Sequence, residues 1–235
     1  MLVVIIILLS IVFIIEFINS LARLGGISLN SFAAGMTIQS AIGIVARTAS
    51  TMMMPLLGVF SDLGKLAEMS IETIYIQLLI MPAMILCAFF SRDLLLKILL
   101  SLVHGVVGYG KLQFANWSQT NQVVYTYRKI KLFRKLKIYF ILTYIPFYGA
   151  WPIAIILMSI FPEYRATILT SSAVLTGFNS FFMTIVVDPY TTYLANRAPL
   201  IAKSFLYNML HLKLYALFLS FVLVGIFVII YGELY

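Results

Sequence analysis

Five charged side chains stand inside long apolar runs or at their ends: Glu16, Arg23, Arg47, Arg165 and Asp188. They are the residues whose chemistry needs a reason. An arginine near the centre of a bilayer costs at least about 2.5 kcal/mol even on the most lenient insertion scale. It persists where it faces a carboxylate, a water-filled cavity or an anionic ligand. Its guanidinium is a planar fork that holds phosphate or carboxylate through two parallel hydrogen bonds. Arg47 lies near the middle of the apolar stretch 31–62. Read as a helix, this stretch sets Met36, Ser40, Gly43, Arg47, Ser50, Thr51, Met54 and Gly58 along one side, which is small or polar around the arginine. Glu16 is as unusual as Arg47, and the order of the chain predicts that the two meet across the first pair of helices. Two roles for Arg47 stay open: receptor for an anion in a wet groove, or half of a structural ion pair.

Other chemistry is missing. There is no HExxH, no glycine-rich phosphate loop and no Cys/His cluster at metal spacing. Neither histidine has ligand-like neighbours, and no Ser/His/Asp arrangement can be argued. We therefore expect no catalytic residue, no metal and no cofactor, and a transporter rather than an enzyme. The single Cys87 allows no internal disulfide. The formal charge of +8 falls between apolar runs, which fits anionic lipid headgroups and not nucleic acid.

The elements that must hold these charges follow from composition. With 63% hydrophobic and 10% charged residues, the chain is far outside the soluble range. It reads as an all-α integral membrane protein, one domain over 1–235. About six transmembrane helices are expected, at 2–21, 32–60, 71–90, 138–161, 166–187 and 205–231. The first 22 residues lack a basic leader and a small-residue cleavage site, so they read as a span and not a signal peptide.

Local signals refine this bundle. Gly25 and Gly26 are expected to end span one, where Glu16, Asn19, Ser20 and Arg23 make one face polar. Pro55 should bend span two. The stretch 94–107 is too short for a span and reads as interfacial or re-entrant. Pro146, Gly149 and Pro152 should kink or break span four. Ser172, Thr176, Asn179, Ser180, Thr184 and Asp188 form a stripe on span five, which Asp188–Pro189 should end. A polar cavity would then be lined by Asn19, Ser40, Ser50, Thr51, Thr176, Asn179 and Thr184, although such stripes also bind helices to one another.

The basic loop 91–137 carries Arg128, Lys129, Lys131, Arg134 and Lys135 alternating with apolar residues. This segment is either a positive-inside anchor or a collector of anionic headgroups. Placing the loop in the cytoplasm puts thirteen basic residues there (Arg23, the nine of the loop, Arg197, Lys203 and Lys213) and two outside, Lys65 and Arg165. Both termini are then extracytoplasmic.

Three stretches together resemble the alternate lipid II flippase, the Amj family of bacterial membrane proteins. They are RLGGISLNS after Glu16, ARTASTMMMPLLG at 46–58, and PEYRATILTSSAVLTGFNSFFMTIVVDP at 162–189. The resemblance covers most of the chain in the same order. The family has an asparagine shortly after the arginine of the second stretch, where this chain has Ser50 and Thr51. The resemblance implies movement of lipid II, the undecaprenyl-pyrophosphate-linked peptidoglycan precursor, to the outer leaflet of the bacterial cytoplasmic membrane. Lipid II and membrane lipids are the partners it implies, and a homodimer stays open. In that scheme Arg23 and the basic segment attract the headgroup. Arg47 receives the pyrophosphate while Glu16 or Asp188 gives it up, and Arg165 assists release. Three other readings remain: transport of another anionic polyprenyl lipid such as undecaprenyl phosphate, a non-transporting scaffold for cell-wall enzymes, and an intramembrane enzyme acting on a prenyl phosphate.

Overall fold

The computed structural model describes residues 1–114 and 134–234, and among them every regular element is helical. In chain order they are α1 (Leu2–Ser28), α2 (Phe32–Asp62), α3 (Ile71–Leu78), α4 (Ile80–Phe90), α5 (Arg92–Tyr109), α6 (Arg134–Ile160), α7 (Arg165–Phe182), α8 (Asp188–Arg197) and α9 (Pro199–Leu234). Six stretches are long and apolar enough to cross a membrane: Leu2–Ser28, Phe32–Asp62, Ile71–Phe90, Lys137–Ile160, Pro162–Arg197 and Pro199–Tyr231. The protein is an all-α bundle of the membrane-spanning type. Of the basic segment, Arg128, Lys129 and Lys131 lie outside the described residues, and Arg134 and Lys135 open α6.

The hub is α1, which packs against α2, α4, α5 and α9; α6 packs against α7 and α9. Helices in lipid gain no hydrophobic drive from meeting each other, so small residues that let backbones approach decide where they cross. Gly26 and Gly35 do this for α1 and α2. A methyl group on Gly26 would stand 2.8 Å from the Gly35 Cα, and one on Gly35 2.7 Å from the Ala22 carbonyl oxygen. That role also corrects the expected helix end. α1 continues through both glycines to Ser28. Asn30, at φ 54°, supplies the left-handed turn instead. The Ser31 amide donates to the Gly26 carbonyl at 2.8 Å and the Asn30 amide to the Ile27 carbonyl at 3.2 Å, the bonding pattern of a Schellman cap.

Proline positions differ from expectation in an instructive way. Span three is the broken one: α3 stops at Leu78 and α4 starts at Ile80. Pro82 can neither donate to the Leu78 carbonyl nor avoid it. Span four is not broken. α6 runs through Pro146 and Pro152, and Ser220 of α9 donates to the Ile145 carbonyl at 3.2 Å beside the first proline. α2 is likewise continuous through Pro55.

Span five does not stop at Asp188–Pro189. A π-helical turn, Met183–Val187, carries α7 into α8, and the helical stretch reaches Arg197. The wider turn accommodates a proline that cannot donate. Thr191 and Thr192 hydroxyls donate to the Val187 and Asp188 carbonyls, each at 2.7 Å.

Span six starts at Pro199, six residues earlier than expected. Lys213 is thereby moved from a helix start to a helix interior. The stretch 94–107 belongs to α5, an 18-residue helix whose Leu96, Leu100 and Val103 pack over Gly25 of α1. It is not one of the six long apolar helices.

Candidate functional site

Four helices leave a partly polar cavity of about 330 Å³ between them. α1 supplies Glu16 and Asn19 over a base of Val12, Phe13 and Ile15; α2 supplies Gly43, Ala46, Arg47 and Ser50; α6 supplies Phe147 and Trp151; α7 supplies Ala173, Thr176, Gly177 and Ser180. The two side walls are α2 and α7. Each packs on its own neighbour, α2 on α1 and α7 on α6, and they do not pack along one another. Arg47 and Ser180 on these walls are exposed, so the cavity is an open groove.

Arg47 has no carboxylate partner among the described residues. Its Nε donates only to the Gly43 carbonyl of its own helix, at 3.4 Å, which is at the long limit of a hydrogen bond. Thr51 and Thr48 hydroxyls are turned back onto the Arg47 and Ile44 carbonyls, at 2.9 and 3.0 Å. The guanidinium is therefore the open donor of the site.

Glu16 does not pair with Arg47. Its Oε1 accepts from Lys213 Nζ at 2.9 Å and from the Tyr144 hydroxyl at 3.2 Å. Lys213 also donates to the Glu16 carbonyl at 2.7 Å and to Ser20 Oγ at 2.9 Å, so all three ammonium protons are used. Lys213 is 1% exposed, and the Tyr144 ring centroid lies 5.1 Å from its nitrogen. Glu16 Oε2 is on the Asn19 side, 3.5 Å from Asn19 Nδ2. Glu16 thus has one oxygen in the bundle interior while its side chain also lines the groove. The Tyr144 hydroxyl lies 3.1 Å from Met183 Sδ, which ties the cluster to the π turn.

Two further ion pairs stand outside the groove lining. Arg23 is buried, with Nε bonded to Gln39 Oε1 and Nη1 2.5 Å from Asp188 Oδ1. Asp188 directly follows the π turn. Arg165 pairs with Asp62 at 2.8 Å and joins the ends of α7 and α2.

Of the residues expected at the site, Arg47, Glu16, Asn19, Ser50 and Thr176 line one groove. Ser40, Thr51 and Thr184 are exposed beyond that lining, and Asn179 is buried with its Oδ1 unpartnered. Arg23, Asp188 and Arg165 are held in pairs away from it. Sequence reasoning missed Lys213, Tyr144, Gln39, Asp62 and Trp151 as parts of this arrangement. The signal for Lys213 was its distance from Pro199, the residue that starts its helix.

A second cavity of about 260 Å³, almost wholly apolar, lies between α6, α7 and α9, lined by Gly149, Ile153, Ala154, Ile168, Leu175 and Leu223 among others. α7 therefore has open space on two sides, and only Ser172 and Asn179 of its residues are buried. Comparison of the chain with protein families, characterised proteins and solved structures finds no match.

Proposed function

We propose that the protein moves an anionic lipid across the bacterial cytoplasmic membrane, and that the lipid is lipid II. The observation that carries this reading is Arg47, a cation without a carboxylate partner among the described residues, in a groove whose two walls are not packed together. A phosphate or pyrophosphate bound there would gain charge-assisted, bidentate hydrogen bonds in a medium of low dielectric. The polyprenyl tail would stay in lipid beyond α2 and α7. α7, held on one side only, is the wall that would move. Arg165–Asp62 and Arg23–Asp188 are then fasteners at the two ends of the groove, and not receptors.

The orientation we propose keeps both termini outside. Moving the buried Lys213 and Arg23 into the bundle still leaves eleven basic residues on the cytoplasmic side against two outside. An inside-negative potential then favours outward movement of an anion by about 2.3 kcal/mol per charge per 100 mV.

The test is surface exposure of labelled lipid II in bacteria whose other lipid II flippase is switched off. Exposure restored by the wild type and not by Arg47→Ala is the expected result. Restoration by both would remove Arg47 from the path; restoration by neither, with protein in the membrane, would remove lipid II. One observation favours a second substrate: the groove volume of about 330 Å³ suits a phosphate or pyrophosphate but is far smaller than a disaccharide–peptide headgroup. On that reading the lipid is undecaprenyl phosphate, and purified undecaprenyl phosphate would compete for the site better than lipid II.

A further inference from the structure

Glu16 is the hinge between two charge systems. Its Oε1 neutralises Lys213, a buried lysine that has no other carboxylate within ion-pair distance among the described residues. The same side chain lines the groove that Arg47 enters from α2. The groups facing Glu16 are Lys213 from α9, Tyr144 and Tyr148 from α6, Arg23 from its own helix and Arg47 across the groove; α7 presents the hydroxyls of Thr176 and Ser180. Asp188 acts on Lys213 from α8. In the empty groove Glu16 and Lys213 cancel, and Arg47 is left as a net single positive charge.

An anion at Arg47 changes that balance. It places a second negative charge in the groove beside the Glu16 carboxylate, and like charges in one site favour protonation of one of them. Groove water can deliver that proton to Oε2, which forms an O–H bond. Lys213 is then no longer neutralised, and its charge acts on the bound anion. The site passes from one net positive charge to two, the number carried by a pyrophosphate diester. We infer that Glu16 is a proton site coupled to the Arg47 anion site, so that the protein takes up a proton when it binds its anionic lipid. This rests on the anion-binding role proposed for Arg47. Intramembrane acidic residues in contact with a substrate cavity are the recurrent proton carriers of transporters.

Linkage fixes the sign. The occupied state holds more protons than the empty one, so affinity must rise as pH falls, and it must do so reciprocally with proton uptake. Each unit by which the anion changes proton binding at Glu16 is a tenfold change in affinity. The experiment is calorimetric titration of the purified full-length protein with short-chain phosphatidylglycerol, a phosphodiester that does not itself titrate in this range. It is run in two buffers of different protonation enthalpy and at pH values from about 6 to 8. The wild type is expected to take up a fraction of one proton per lipid and to bind about tenfold tighter at the lower pH. Glu16→Gln should bind without proton uptake and with no pH dependence. Where that variant fails to fold, the double variant Glu16→Gln/Lys213→Met, which removes both charges, should also be flat with pH. Binding that depends on Arg47 but takes up no proton in the wild type would overturn the coupling and leave the anion site standing. Binding that is the same in Arg47→Ala, or absent, would overturn the anion site itself.

Discussion

Glu16 pairs with one cation and shares a groove with another, and the protein treats the two differently. Lys213 is 1% exposed, gives all three protons to oxygens of α1 and lies against the Tyr144 ring. Arg47 is exposed, reaches only its own helix and has no carboxylate within ion-pair distance among the described residues. A satisfied charge in a low-dielectric interior holds structure, because removing its partner leaves an uncompensated ion. An unsatisfied one in a polar groove is available to a ligand. The contrast separates what holds α1, α6 and α9 together from what the groove between α2 and α7 can bind.

The comparison can be broken most sharply at its buried side. Lys213→Ala leaves Glu16 charged and unpaired and should cost about 3–5 kcal/mol. Thermal unfolding in detergent would show it, and Lys213→Met/Glu16→Gln should recover most of the loss. Gly35→Ala, which puts a methyl 2.7 Å from the Ala22 carbonyl, should cost about 1–3 kcal/mol by forcing α1 and α2 apart. On the groove side the stability effect should nearly vanish. Arg47→Ala should change stability by less than about 0.5 kcal/mol while abolishing lipid transport. A large loss of stability there would make Arg47 a structural residue after all. The smallest effect belongs to Asp62→Asn. Its partner Arg165 is 46% exposed and Asp62 itself 54%, so the pair should contribute under about 1 kcal/mol. Joining the two positions as cysteines asks a different question. A reducible bifunctional thiol crosslinker between them should slow transport, with recovery on reduction, if α2 and α7 must separate.

Much of the bundle was legible because length and hydropathy alone mark spans in a membrane protein. The helices themselves follow those marks closely. What misled were residues whose meaning depends on a neighbour. Gly25 and Gly26 look like a stop signal but serve helix packing, since Gly35 of α2 sits opposite Gly26 and Val103, Leu100 and Leu96 of α5 lie over Gly25. Pro189 looks terminal, yet a π turn absorbs it. Span three, for which the sequence carries no expected break, is divided just before Pro82. At the site, spacing along α1, α2 and α7 brought Glu16, Asn19, Arg47, Ser50 and Thr176 to one groove, because helical periodicity is a local property. Pairing is not local. Nothing in the order of residues chooses Lys213 over Arg47 as the partner of Glu16; the packing of α9 on α1 does. Asp188, which directly follows the π turn, pairs with Arg23 on a helix far from it in sequence.

The most direct test of the central claim is lipid translocation in vesicles containing only the purified protein. Labelled lipid II is loaded in one leaflet, and its arrival in the other is read with an impermeant quencher. The account predicts translocation by the wild type, little or none by Arg47→Ala, and partial activity for Arg47→Lys, which keeps the charge and loses the bidentate fork. Equal rates for all three proteins would contradict it and return the groove to a packing defect between helices.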